Sequence, residues 1–322
     1  MKMNLTKMSL LSVVMMTTVT ILSSNNILFS WMMLEMNMIS FMPILTKSKK
    51  MNEQSMKYFI IQSSSSSIML MSILMNSMIE YPLNLSIMLI SSMLMKIGMM
   101  PFHTWLIPLM QSMTWENCII MSTWQKISPT ILMTQMINMK QMIIPMCISL
   151  MIAPMSAMNQ SSLKKIMAYS SISNSPWMIS SLMYSKQQFM MFMMIYSTLT
   201  LMTMKKMKEH KLMFINQISM EKDKPKLSMM ILMLSISGMP PLVGFTPKWL
   251  ILQSNLLYSV TLSISMILSS MISTFVYMKM MSNFMMNSST KKKTKKSKMK
   301  KDNSIIFNIL GLPMMMMVLS VG

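Results

Sequence analysis

Apolar runs of about twenty residues follow one another along almost the whole chain, and this pattern constrains the fold most strongly. A helix needs about 20 apolar residues to cross the core of a bilayer. Backbone groups in lipid must be hydrogen-bonded internally, which leaves helices and closed barrels. Barrel strands are short and alternate apolar with polar residues, whereas these runs are long and evenly apolar. The sequence therefore predicts an all-α polytopic membrane protein.

The runs predict about eleven transmembrane helices. Only 11% of the residues are charged, against about 25% in a soluble domain. We expect one membrane domain over residues 1–322 because the runs leave little of the chain outside them. The predicted spans are 5–24, 27–45, 57–78, 86–113, 118–138, 141–158, 164–184, 187–208, 227–254, 257–282 and 304–321.

The lysines predict the orientation of the chain. All 29 basic residues are Lys, and the net charge is +21. With eleven spans, 22 of them lie in loops on one side, and the other side holds only Lys140 and Lys186. Positive loops stay in the compartment where a chain is made. A nucleic-acid-binding protein would instead gather such charge on a polar, folded face, so we expect no nucleic-acid partner.

Two predicted spans, 86–113 and 227–254, contain several prolines. Proline removes a backbone donor and clashes with the preceding turn. Splitting either span into two helices would move later lysine clusters to the opposite side. Each span is therefore predicted to cross once as an interrupted helix. Such interruptions mark ion sites in transporters, although a simple kink for helix packing is the alternative.

Four charged residues lie in the interior of predicted spans and not at their ends: Glu35, Lys96, Lys126 and Lys248. A charge at the bilayer centre costs about 2.5–3.5 kcal/mol, so the three lysines together cost on the order of 8–10 kcal/mol. Burial disfavours the charged form of a lysine, and a nearby carboxylate favours it. A Glu35–lysine pair that forms and breaks could therefore take up and release a proton.

Three further residues need a separate interpretation. Lys57 and Lys279 lie near span ends, where a lysine can extend its amine to the membrane surface. His103 lies at the first predicted interruption, where it could relay protons or be a hydrogen-bonded polar residue at a kink. Both interpretations of His103 stay open.

Neither soluble catalytic motifs nor metal-ligand spacings are present. The sequence has no GxGxxG, P-loop or HExxH motif, and its two cysteines form no CxxC pair. We therefore expect no cofactor or metal in this chain. The high Met content, 60 residues, and the absence of Arg are typical of invertebrate mitochondrial coding.

Several ordered stretches resemble the mitochondrially encoded subunit 2 family of NADH:ubiquinone oxidoreductase, respiratory complex I. The most specific are Lys-Ile-Gly-Met-Met-Pro-Phe-His-Thr-Trp at 96–105, Thr-Trp-Gln-Lys-Ile-Ser-Pro at 123–129 and Gly-Met-Pro-Pro-Leu-Val-Gly-Phe-Thr-Pro-Lys-Trp at 238–249. The matches are collinear from residue 31 to about 255. One departure is Asn174, where the family often has His.

The resemblance implies an antiporter-like fold and a proton-pumping role in the membrane arm of complex I. It implies a proton path through Glu35, Lys96, Lys126 and Lys248, driven by quinone reduction elsewhere. NADH, FMN, iron–sulfur clusters and ubiquinone would be bound by other subunits. The partners would be other membrane-arm subunits and phospholipid, including cardiolipin. The location would be the inner mitochondrial membrane, with the N-terminus and lysine-rich loops in the matrix and the C-terminus on the intermembrane side.

Two other functions remain open on the residues alone. The charged spans also fit a self-standing cation/proton antiporter. They fit a non-transporting scaffold as well, provided that the lysines reach the surface or form static pairs.

Overall fold

A computed structural model describes residues 5–46, 49–78, 83–218 and 223–288, together with Asn308 and Pro313. The described residues form α-helices and one isolated antiparallel bridge between Ser162 and Phe214. The all-α prediction is confirmed. Of the predicted span 304–321 only Asn308 and Pro313 are described, and the lysine-rich segment 291–301 lies outside the described residues.

The chain divides into two compact units, Met1–Ser149 and Leu150–Gly322. The prediction of one membrane domain therefore stays a prediction. Helices of the first unit are α1 (Leu5–Ser23), α2 (Ile27–Leu45), α3 (Lys49–Met78), α4 (Leu83–Ile97), α5 (Leu106–Ser112), α6 (Trp115–Ser122) and α7 (Trp124–Met136). The boundary falls within α8 (Met139–Ala157), and the second unit contains α9 (Leu163–Tyr184), α10 (Lys186–Glu209), α11 (Ile215–Ile218), α12 (Asp223–Ser237), α13 (Phe245–Leu256) and α14 (Val260–Ser288).

Five helices in the described part of the chain are long and apolar enough to cross a membrane. They include Leu5–Ser23 and Ile27–Leu45, which agree closely with the first two predicted spans. The predicted total of about eleven spans is not established by these five and stays a prediction.

The centre of the second unit is α9, although its sequence is rich in serine. Eighteen of its 22 residues are buried, and it contacts α10, α13 and α14. The serine hydroxyls donate to carbonyl oxygens three or four residues earlier, as Ser171 does to Ala168 and Ser181 does to Met178. Because these bonds lie within the helix, a polar-looking segment can be buried.

The two predicted interruptions are confirmed, and they have the same local structure. The first separates α4 from α5, and the second separates α12 from α13. Gly98 follows α4 with φ +74°, and Gly238 follows α12 with φ +83°. In each case the next amide, of Met99 or Met239, donates to the carbonyl five residues earlier. Glycine reaches this left-handed conformation without a Cβ clash, and it commonly closes a helix in this way.

A third interruption contradicts the prediction of one continuous helix over 118–138. The helix is divided at Thr123 into α6 and α7, and Thr123 has φ −113° and ψ −71°. The amide and hydroxyl of Thr123 both donate to the carbonyl oxygen of Ile119, at 3.1 and 2.7 Å. A threonine hydroxyl that competes for a helix carbonyl disturbs the backbone ladder. Neither Gly nor Pro occupies this position, so the sequence pattern did not predict the interruption.

Candidate functional site

Glu35 on α2 and Lys96 in the last turn of α4 form a close charge pair. The Lys96 Nζ lies 3.8 Å from Glu35 Oε1, and the two side chains are 5% and 22% exposed, respectively. Glu35 Oε1 is buried and has no hydrogen-bond partner among the described residues. A separation of 3.8 Å is too long for a hydrogen bond. The pair is therefore an electrostatic contact that a small movement can tighten or break.

The position of Lys96 in the last turn of α4 adds a second favourable interaction. The C-terminal end of a helix carries partial negative charge, which favours a cation. The side-chain amide of Gln62 on α3 donates to the Lys96 carbonyl oxygen at 3.3 Å. The helix end that carries Lys96 is thus tied to α3 as well as to α2.

Lys126 on α7 is 2% exposed, and it shares a cavity with Lys96. The cavity has a volume of about 30 Å³ and is lined also by Tyr58, Gln62 and Gln125. A space of about 10–15 Å³ can hold one water molecule if polar groups surround it. The two lysines therefore border one polar space with room for about two waters.

A chain of side-chain amides and a hydroxyl joins α2 to α7 beside this cavity. Gln125 Nε2 donates to Asn37 Oδ1 at 3.0 Å, and Asn37 Nδ2 donates to Ser128 Oγ at 3.4 Å. All three residues line the cavity. The sequence analysis did not predict this series of hydrogen bonds. Asn37, a polar residue two positions after Glu35 in an apolar span, could have indicated it.

Lys248 on α13 closes the C-terminal end of α12 in the second unit. Its Nζ donates to the carbonyl oxygens of Ser237 at 2.9 Å and Ile236 at 3.2 Å. The amine also lies 5.4 Å from the centre of the Trp177 ring, within the range of a cation–π interaction. The side chain is 7% exposed. Its partners are therefore carbonyls at a helix break and an aromatic face.

A second cavity, of about 20 Å³, adjoins Lys248 within the second unit. Its polar lining comes mainly from α9 and α14, and it includes Ser170, Asn174 and Tyr277. The structure thus places Glu35, Lys96 and Lys126 together in one unit and gives Lys248 its own polar space in the other.

The remaining candidates lie elsewhere. His103 is in the connection between α4 and α5, where its Nδ1 lies 3.2 Å from the carbonyl oxygen of Pro101. It lines neither of the two cavities. Lys57 and Lys279 are exposed, and the extension of their amines to the membrane surface stays a prediction.

The fold is that of antiporter-like membrane proteins. A family model described as NADH:quinone oxidoreductase/Mrp antiporter, TM, matches residues 24–275. The chain belongs to this family.

The sequence relatives are more specific. NADH-ubiquinone oxidoreductase chain 2 of Locusta migratoria is 40% identical over 289 residues, which cover 86% of this chain and 84% of the relative. The chain 2 protein of Anopheles gambiae is 35% identical over 280 residues, covering 82% and 81%. The family resemblance predicted from the ordered motifs is therefore confirmed.

Solved structures show the same fold at low sequence identity. A chain of respiratory complex I from Thermus thermophilus with bound Aureothin has a TM-score of 0.78 and 17% identity, over 87% of this chain and 71% of that chain. A chain of the Mrp complex from Dietzia sp. DQ12-45-1b has a TM-score of 0.65 and 12% identity, over 84% and 59%.

Proposed function

We propose that this chain is a membrane-arm subunit of a proton-translocating NADH:ubiquinone oxidoreductase in the inner mitochondrial membrane, and that Glu35, Lys96, Lys126 and Lys248 carry its protons. The 40% identity to a chain 2 protein over 84% of that relative's length supports the assignment to the complex. The observation that supports the proton path most directly is the cavity shared by Lys96 and Lys126.

The Glu35–Lys96 pair is the proposed switch. Two unit charges about 4 Å apart interact by roughly 4 kcal/mol at an effective dielectric constant of 20. A close carboxylate favours the protonated amine, and its withdrawal favours proton release. Since a difference of about 1.4 kcal/mol is a factor of ten in an equilibrium constant, a movement that separates the pair changes the proton-binding constant of Lys96 by orders of magnitude.

Lys126 is the proposed next proton carrier. It borders the same cavity as Lys96, and the amides of Gln125 and Asn37 together with the hydroxyl of Ser128 provide polar groups along the wall. These polar groups can orient water in the cavity between the amines of Lys96 and Lys126. A proton released at Lys96 therefore has a short polar route to Lys126.

Lys248 is the proposed carrier in the second unit. Lysine suits this role because its amine can lose a proton, whereas an arginine side chain stays charged. The carbonyl oxygens of Ile236 and Ser237 favour the protonated amine. A change at the α12–α13 interruption would alter that stabilisation and release the proton.

Other subunits supply the energy. In this proposal NADH, FMN, iron–sulfur clusters and ubiquinone are bound elsewhere in the complex, and quinone reduction drives the Glu35–Lys96 switch. The N-terminus and lysine-rich loops face the matrix, and phospholipid such as cardiolipin contacts the basic side. Protease protection of tagged termini in intact mitoplasts tests the orientation, and a protected N-terminus together with a C-terminus cleaved from outside is expected.

The decisive experiment replaces Lys126 by Met in the assembled complex. Protons translocated per NADH oxidised are measured in reconstituted liposomes, with Lys279→Met as the control because Lys279 is exposed. We expect fewer protons per NADH for Lys126→Met and no change for Lys279→Met. A normal ratio for Lys126→Met would reject the proposed path.

A self-standing cation/proton antiporter is the second candidate, favoured by the presence of Mrp antiporters in the same family model. Ion exchange by the purified single chain in liposomes would support it. Recovery of the chain only within a redox-active assembly would reject it.

A further inference from the structure

We propose that the connection that follows α10, residues 210–214, is a docking site for anionic phospholipid headgroups. We call these five residues the basic tip of the second unit. Its lysine and the lysines beside it bind the headgroup phosphates, and Met213 and Phe214 lie against the first part of the acyl chains. The inference rests on the proposed function, because that function places the basic end of the chain at a membrane surface.

Hydrogen bonds hold the basic tip against the start of α9. An antiparallel bridge joins Ser162 to Phe214. Beside it the amide of Leu163 donates to the carbonyl oxygen of Met213 at 2.9 Å. The C-terminal end of α10 and the N-terminal end of α9 therefore lie side by side, at one end of the second unit.

This end carries lysines without internal charge partners. Lys165 lies in the first turn of α9, Lys205 lies near the end of α10, and Lys211 lies in the tip. None of them takes part in an ion pair with another described residue. Over 205–217 the sequence has four lysines and one acidic residue, Glu209. Each lysine close to an anionic membrane surface adds to the attraction, which salt screens.

Lys211 has a backbone conformation that favours glycine. Its φ is +54°, in the left-handed region that is unfavourable for an L-residue. The turn closes α10 in a common way, since the Leu212 amide donates to the carbonyl oxygen of Met207 at 3.0 Å. A glycine would make the same turn without strain. The fold therefore does not require a lysine here, and strained positions of this kind cluster at functional sites.

Two large apolar side chains follow these lysines at the surface. Met213 and Phe214 are 44% and 50% exposed. Their backbone amides both donate to Oε1 of Gln217, at 2.6 and 3.2 Å. Their carbonyl oxygens accept from the amides of Leu163 and Gln217, respectively. Because these backbone groups are already paired, the two residues can enter the boundary between headgroups and acyl chains without leaving a polar group unsatisfied.

An anionic phospholipid matches both parts of the basic tip. Its phosphate is a charge partner for the lysines, and its acyl chains cover the exposed side chains of Met213 and Phe214. Segments that lie in the membrane interface combine the same two contributions, apolar burial and attraction to anionic lipid. An acidic segment of a neighbouring subunit is the competing occupant, and the experiment distinguishes the two.

The test measures lipid contact in the assembled complex by photo-cross-linking. The complex is reconstituted in phosphatidylcholine vesicles that contain either phosphatidylglycerol or more phosphatidylcholine, with the same photoreactive acyl chain on the added lipid. Mass spectrometry quantifies cross-linked peptides from residues 205–217. We expect roughly fivefold more cross-linking by phosphatidylglycerol, and a smaller difference at high salt.

Lys211→Gly separates the charge from the fold, because it removes the amine and also relieves the left-handed strain. We expect severalfold less cross-linking by phosphatidylglycerol and no decrease in the dissociation temperature of the complex in phosphatidylcholine. Lys205→Gln is the second variant and should act in the same direction. Lys186→Gln is the matched control, since Lys186 is exposed at the other end of α10, and it should change nothing.

Equal cross-linking of the peptide by the two lipids would overturn the lipid site. Unchanged cross-linking in both Lys211→Gly and Lys205→Gln would overturn it as well. A carbodiimide, which couples lysines to carboxylates, detects the competing occupant. Coupling of Lys211 to a neighbouring subunit, with little lipid cross-linking, would assign the basic tip to a protein contact and reject the proposal.

The failure of this inference can be distinguished from the failure of the proposed function. Cross-linking requires no electron transfer, so the lipid result can be read whether or not the complex pumps protons. A normal proton ratio in Lys126→Met would reject the proton path alone. A lowered ratio in Lys126→Met with equal cross-linking by both lipids would reject the lipid site alone.

Discussion

The side chain of Lys248 lies on the face of Gly238 where a Cβ would be, so that an added Cβ would come within 2.7 Å of Lys248 Cδ and 3.3 Å of its Nζ. Gly238 thus has two roles. It closes α12 with φ +83°, and its missing side chain leaves the space in which Lys248 reaches the carbonyl oxygens of Ile236 and Ser237.

Gly238→Ala is predicted to impair proton translocation through Lys248. The left-handed conformation costs an L-residue about 1–2 kcal/mol, and the new methyl group displaces the lysine. Gly98→Ala is the comparison, because it strains the same kind of turn but its methyl group meets Leu106 and Trp105. Translocation per assembled complex should fall more for Gly238→Ala, and equal losses would mean that only the turn matters.

Glu35 and Lys96 are predicted to be energetically coupled. Removal of one partner of a fully buried pair costs about 3–5 kcal/mol, and we expect about 1–3 kcal/mol here because Glu35 is 22% exposed. Glu35→Gln should therefore lower the dissociation temperature of the complex, and adding Lys96→Met should restore part of it. A double-mutant cycle measures the coupling. Strictly additive effects would show that the contact has no energetic role.

Thr123→Ala is predicted to alter the position and the surroundings of the Lys126 side chain. The change removes the 2.7 Å hydroxyl bond to Ile119 at the break between α6 and α7, so the helix can become more regular. Thr134→Ala is a matched control, since Thr134 makes the same kind of bond to Ile131 at 2.8 Å within α7. We expect a severalfold loss of translocation for Thr123→Ala only. Identical behaviour of the two variants would assign no role to the break.

The Lys7–Glu116 ion pair is predicted to contribute little. The atoms are 3.4 Å apart, and the side chains are 17% and 36% exposed. Pairs of this kind contribute about 0–1 kcal/mol and are screened by salt. Lys7→Gln should leave translocation unchanged and the dissociation temperature nearly so, at low and high salt alike. A large salt-dependent decrease would contradict this.

Local patterns in the sequence were sufficient to predict the all-helical membrane class and to identify the charged residues within the spans. The cost of a lysine inside an apolar run can be estimated from that run, so Lys96, Lys126 and Lys248 could be identified without a fold. The breaks at Gly98 and Gly238 were also predictable. The prolines near each break disturb the helix only within one or two turns, so their effect can be read from the local sequence.

The sequence by itself thus determined the helical membrane architecture, two interrupted helices and the four charged residues of the proposed site. Only the tertiary structure decided which groups these charges meet. Asn37 and Gln125 are 88 positions apart in the chain. Lys248 on α13 donates to carbonyl oxygens at the end of α12, on the other side of the interruption. These relationships depend on distances of a few ångströms between segments far apart in sequence, which local propensity and insertion cost do not specify.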